Sequence, residues 1–273
     1  MWLISVLLLA PTIYIASGRE LPIEVRDRLS QLLPSDLAPT PKDLAIAFIA
    51  GLVIGGTPLH HALRYLSTVV HELGHALTAG VLGGRPKNIR ISPSASGLAT
   101  YQPPITWGRG RASIVSLVGY PAPAVAGLAA VRALQDGHTL SWFLYTSGTL
   151  ALAIILLIRN TWGIVWTGLA VTGAYFAVRE LPVFHLGLAV SGLAGYLAIE
   201  GCRHTWEQLA IIRRFPGAGC DAEKVAYWWG FNPRIVAMFH LLVVLAIASY
   251  ASYIAINPYW PELQDWISRV TKT

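Results

Sequence analysis

The sequence predicts an all-α polytopic membrane protein of about eight transmembrane helices, with one short β-hairpin after its third apolar stretch. Composition comes first. Of 273 residues, 54% are hydrophobic and only 12% charged, where a soluble domain carries about 25% charged residues. Mean hydropathy is +0.53. The second observation is a series of apolar stretches near the roughly 20 residues that cross a bilayer. They cover 2–17, 43–56, 60–82, 112–133, 140–158, 161–178, 183–201 and 235–256. The third is the placement of charge. The net charge of +6 reads as basic residues retained on the cytoplasmic side, not as a nucleic-acid surface.

Each element follows in order. Stretch 2–17 is a retained helix or a signal peptide; no basic residue precedes it, and Ala16-Ser17-Gly18 is a weak cleavage site. Segment 18–42 is Pro-rich and mixed in charge, a cytoplasmic linker or short amphipathic helix. Residues 43–256 form the membrane core and 257–273 a tail, so that 1–273 is one membrane domain. Loop 83–111 holds Arg85, Lys87, Arg90, Arg109 and Arg111 with no acid, and 202–234 is again rich in Arg and Lys. Four crossings separate the two, so both fall on one side. Ten Trp and eleven Tyr fit interfacial anchors. Cys202 and Cys220 are too few for a disulfide framework.

The chemistry sits in 60–82, where His71-Glu72-Leu73-Gly74-His75 reads HExxH. On a helix, positions i and i+4 share a face, so both imidazoles reach one metal ion. Glu72 lies about 100° further round. It is placed to take a proton from a zinc-activated water. A carboxylate at the middle of a membrane helix costs about 2.5–3.5 kcal/mol on insertion scales. Such residues are functional by default. One Zn2+ per chain is expected.

The run Thr68-Val69-Val70-His71-Glu72-Leu73-Gly74-His75-Ala76, followed by Leu82-Gly83-Gly84, resembles the site-2-protease-type intramembrane metallopeptidases, and among them the compact bacterial branch. That resemblance implies a membrane-dipping hairpin after the HExxH helix. Lys87–Pro93 and Gly97–Tyr101 alternate like its two strands. Gly119-Tyr120-Pro121-Ala122-Pro123, Arg159-Asn160 and Gly219-Cys220-Asp221-Ala222 are similar to further pieces. The resemblance also implies a third ligand, an Asp in an Asp-Gly pair of a later membrane helix. No apolar stretch here contains that pair.

Three residues compete for the third position. His204 is first, placed at the end of helix 183–201. Asp221 in the basic loop and Glu200, one turn before His204, are the alternatives. For substrate, a helix hides its scissile carbonyls in i to i−4 bonds. An exposed strand edge holds a peptide extended. Ile89, Ile91 and Tyr101 are the expected edge, with Asn160 a donor beside it. His60 and His61 read as interfacial, and His240 as bonded to a neighbouring helix.

The expected function is hydrolysis of a membrane-embedded protein segment by a zinc endopeptidase of the kind used in regulated intramembrane proteolysis. The implied setting is a bacterial cytoplasmic membrane with the site toward the cytoplasm. The alternative is a membrane transporter or metal-handling protein that uses the His/Glu cluster as a transit site.

Overall fold

The computed structural model describes residues 39–270. Stretch 2–17 and most of 18–42 lie outside the described residues. Helix α1 (Pro41–Ile54) starts on a capping box, with Thr40 and Asp43 satisfying each other's backbone N–H groups and Pro41 at the first turn. It stops at Gly55-Gly56-Thr57-Pro58. Helix α2 (Leu59–Val81) then leaves at 96° to it. The antiparallel strands β1 (Arg85–Ile91) and β2 (Gly97–Gln102) follow.

Helices α3 (Arg109–Val118) and α4 (Pro121–Gln135) meet at 58°. Sequence expects one span over 112–133. Pro121 supplies no N–H and disfavours helix at the preceding residue, so the helix breaks there. Helices α5 (Thr139–Leu156), α6 (Thr161–Glu180), α7 (Val183–Arg214), α8 (Asp221–Trp229), α9 (Pro233–Ile256) and α10 (Trp260–Val270) complete the described chain.

Among the described residues, four helices are long and apolar enough to cross a membrane: Thr139–Leu156, Thr161–Glu180, Val183–Arg214 and Pro233–Glu262. The number rises to six if each bent pair counts as one span. The expected helix break at 201 is absent. Helix α7 runs unbroken for 32 residues, about 48 Å at 1.5 Å per residue. That exceeds a hydrocarbon core of about 30 Å. Residues 202–214 contain no Gly or Pro, and Arg203 and Glu207 pair at i,i+4. Nothing stops the helix before Pro216-Gly217.

Helix α7 is the core of the bundle. It packs on α1, α4 and α9. Gly195 and Gly51 lie so close to the opposite backbone that an added methyl would collide, the small-residue approach expected in membranes. Helices α6 and α9 instead turn large apolar side chains outward, including Leu169, Phe176, Phe239 and Leu242. The hairpin rests on α2. Val69, Leu73 and Ala76 pack with Ile89 and Ile91 of β1 and with Leu150, Leu157 and Ile158.

Candidate metal centre

Helical spacing brings His71 and His75 to one face of α2, and their Nε2 atoms stand 3.1 Å apart. His75 Nδ1 donates to the Val115 carbonyl at 2.7 Å. That bond holds Nδ1 as a donor and turns Nε2 toward the other two ligand atoms. The third atom comes from far along the chain. Asp221 Oδ2 lies 3.0 Å from His75 Nε2 and 3.5 Å from His71 Nε2. Among the described residues, these three form the group of metal-capable side chains, all buried.

A loop, not a membrane helix, delivers Asp221. After α7 the chain turns through Gly217 and Gly219, both with positive φ, a conformation that favours glycine. Glu223 holds this turn. Its carboxylate accepts from the backbone N–H groups of Gly217, Gly219 and Cys220 at 2.7, 2.7 and 3.2 Å. Asp221 is then the first residue of α8. Its other oxygen, Oδ1, accepts from Lys224 Nζ at 3.0 Å.

The charges of this segment are tuned by the same contacts. Burial pushes the Asp221 carboxyl up. The His75 charge, hydrogen bonds from His71 and His75, and Lys224 outweigh it and hold the group well below the usual carboxylate range. Slight burial raises Glu223, but its three backbone donors lower it further. Both are therefore anionic at neutral pH.

The donor set fits zinc. It offers two imidazoles and one carboxylate. Tetrahedral ligands about 2.0–2.1 Å from one ion stand about 3.3–3.4 Å from each other. The observed 3.1, 3.0 and 3.5 Å bracket that separation. Two glycines make room for the group. An added Cβ at Gly119 would collide with both imidazoles. At Gly97, the first residue of β2, it would sit 2.5 Å from Glu72 Oε1. Glu72 therefore abuts the hairpin while His71 and His75 face Asp221. Gly119 opens the Gly119-Tyr120-Pro121 stretch noted by resemblance, and Gly97 opens a strand, where a missing side chain often marks close approach.

His204 is brought to the same cavity but not into the metal-capable group. It lies inside α7, and its Nε2 is 3.1 Å from Glu200 Oε1. Glu200 is fully buried and also faces His60 Nδ1 at 3.3 Å. Its carboxylate thus lies between two imidazoles, away from His75. The His204 ring stands 6.2 Å from that of His71. Sequence ranks His204 above Asp221; the geometry reverses the order, because α7 does not end at 201.

The hairpin edge differs in the same way. Ile89 and Ile91 are wholly buried, and the outer edge of β1 is occupied. Ile89 N–H donates to Leu157 O at 2.8 Å, and Arg159 N–H donates to Ile89 O at 3.2 Å. Asn160 accepts from Ile91 N–H at 3.0 Å and donates to Ile91 O at 2.7 Å. Both ends of its amide are bonded to β1, so it supports the hairpin. The open edge belongs to β2. Ile89 pairs with Ala99 and Ile91 with Gly97. Since both β1 residues turn their backbone groups away from β2, antiparallel alternation turns those of Ala99 and Gly97 to the open edge. Tyr101, together with Gly97 and Ala99, lines a cavity of about 380 Å³ that also contains His71, Glu72 and Asp221.

A bundle of apolar helices with an HExxH helix and a convergent carboxylate defines the class: a membrane metallopeptidase. Residues 44–251 match the family described as Peptidase M50B-like, and the chain belongs to that site-2-protease family. Comparisons with curated proteins and with solved structures find no match. The family is one of zinc metalloproteases, and its match does not favour the transporter alternative.

Proposed function

We propose that this protein is a zinc endopeptidase that hydrolyses a peptide bond in a membrane-embedded segment of another protein. The observation that carries it is the convergence of His71, His75 and Asp221 beside Glu72. His71 Nε2, His75 Nε2 and Asp221 Oδ2 would hold the ion. When bound, zinc supplies a Lewis acid that polarises the substrate carbonyl and acidifies water.

The chain's own groups do the rest. Glu72 accepts a proton from the attacking water as the new C–O bond forms. It returns that proton to the leaving nitrogen as the C–N bond breaks. The products are a carboxylic acid and an amine. The Val115 carbonyl keeps His75 in its metal-binding tautomer. The substrate lies extended along β2, its backbone bonded to the Gly97 N–H and to the C=O groups that Gly97 and Ala99 turn outward, while the Ala99 N–H donates to Glu72. This edge passes directly beside Glu72. The Ile89 and Ile91 edge is tied to 157–160 and serves as the scaffold of the hairpin.

Residues 43–256 serve as the peptidase core of a single membrane domain, with 18–42 a linker and 257–273 a tail. The basic residues of 83–111 and 202–234 support a site toward the cytoplasm, and the setting proposed is a bacterial cytoplasmic membrane.

Glu72→Gln tests the reading. It keeps size and polarity but removes the base. Zinc content should match wild type while cleavage falls about 10²–10⁴-fold. Cleavage retained near the wild-type rate with zinc bound would sink the role of Glu72 and the mechanism with it.

A further inference from the structure

Glu200, His204 and Gln208 recur every four residues along α7, so they share one face. His204 and Gln208 reach the wall of the cavity, and the mechanism above uses neither. His204 Nε2 stands 3.1 Å from Glu200 Oε1 as an ion pair. Gln208 is different. It is fully buried and lines the cavity with His71, His75 and Asp221. Its Oε1 lies 3.2 Å from His240 Nδ1, and its Nε2 has no partner. A buried amide nitrogen without an acceptor is costly, and native proteins seldom leave one so.

Oε1 is turned to His240 Nδ1, and in this arrangement Nδ1 carries the hydrogen and Oε1 accepts it. With Oε1 held, Nε2 and its two hydrogens remain free to donate. His240 is itself fixed. It is buried in α9 and its ring lies 5.3 Å from that of Tyr120. Tyr120 in turn packs edge-on against His71 at 4.7 Å. One chain of contacts therefore links the amide to the metal-binding imidazole.

The placement matches a need of the reaction. Glu72 abuts β2, whereas His71 faces Tyr120 and His204 on the opposite wall. Water activated by Glu72 approaches the carbonyl carbon from the hairpin side. Negative charge then develops on the carbonyl oxygen, away from that side. Gln208, one turn beyond His204 on α7, lines the same cavity and offers a donor preset by His240 and shielded from bulk water.

We propose that Gln208 is a catalytic residue that donates from Nε2 to the scissile carbonyl oxygen, and that His240 is the positioning residue that presents it. This inference rests on the peptidase reading. That reading is tested separately, since it fails if zinc-loaded Glu72→Gln cleaves like wild type.

The test uses full-length zinc-loaded protein in detergent. Three probes are measured: cleavage of fluorescein-labelled casein, affinity for a phosphinic pseudopeptide that imitates the tetrahedral carbon, and affinity for acetohydroxamate, which binds the ion alone. Gln208→Met removes the donor at similar size. It should lower kcat about 100-fold and weaken the phosphinic pseudopeptide by a similar factor. KM, zinc content and acetohydroxamate affinity should hold. Gln208→Glu, which puts an acceptor in the donor's place, should show the same split. His240→Phe should lower kcat about 10-fold, and His240→Asn, whose amide can replace the Nδ1 donor, should recover most of it. Wild-type kcat and phosphinic affinity in both Gln208 variants, with Glu72→Gln inactive, would overturn the proposal alone. So would an equal loss of zinc, acetohydroxamate and activity, which would mark Gln208 as a packing residue.

Discussion

The two segments that build the metal centre are opposites. Helix α2 carries His71, Glu72 and His75 within five residues, on regular helical spacing, in the middle of an apolar stretch. The segment Phe215–Trp229 carries one ligand on the first residue of a short helix, after a glycine turn held by Glu223. In α2 the geometry follows from periodicity alone. In the second segment it depends on three backbone hydrogen bonds and two left-handed glycines. The difference teaches that a local repeat can be read from one sequence, whereas a ligand delivered by a loop can only be shortlisted.

The contrast can be sharpened by perturbing each side in turn. The largest effect after Glu72→Gln is expected on the α2 side, at Gly97. A valine there would drive the Glu72 carboxylate off its position, since even a Cβ is too close. Misplacement of about 1 Å costs about 100-fold in rate. Turnover should fall by that order with zinc retained, and unchanged turnover would show that Glu72 does not work from its place against β2.

A smaller effect is expected at the loop. Glu223→Ala frees the N–H groups of Gly217, Gly219 and Cys220 without touching a ligand. Outer-shell losses of this kind cost about 10–100-fold in metal affinity. Competition with a zinc chelator should show a shift near the lower end. The matching loss in α2, His75 Nδ1 to Val115 O, cannot be removed by a side-chain change, which makes the loop the softer half of the site. The smallest effect is expected at Asn160→Ala. It removes two hydrogen bonds to Ile91, each worth about 1 kcal/mol net. Thermal stability should drop by a few degrees, with turnover changed only a few-fold. A loss of turnover as large as that of Gly97→Val would restore Asn160 as a substrate donor.

The same physics explains what could be read in advance. The HExxH helix and both strands of the hairpin were legible because their side-chain periods are local: 3.6 for Val69 to Ala76, two for Lys87 to Ile91. The free edge of the hairpin was not, because the segment that covers β1, 157–160, lies about seventy residues further on and bonds through the backbone of Leu157 and Arg159 and the side chain of Asn160. The bends at Pro58 and Pro121 carry breaker residues, yet hydropathy alone runs through the second. Asp221 stood on the shortlist behind His204. Its sequence setting, Gly217-Ala218-Gly219-Cys220-Asp221-Ala222-Glu223, announces a turn and a helix start. It does not announce where that helix start points. His204 stands outside the converging group because α7 continues past Gly201, and its Nε2 is 3.1 Å from the buried Glu200 one turn earlier.

The central claim is the ligand set, and metal content tests it most directly. Wild type, Asp221→Ala and His204→Ala would be purified in the same detergent, loaded with zinc, dialysed and assayed for metal per chain. The account predicts about one zinc in wild type and in His204→Ala, and loss in Asp221→Ala. Zinc retained by Asp221→Ala and lost from His204→Ala would contradict it and return the third position to α7.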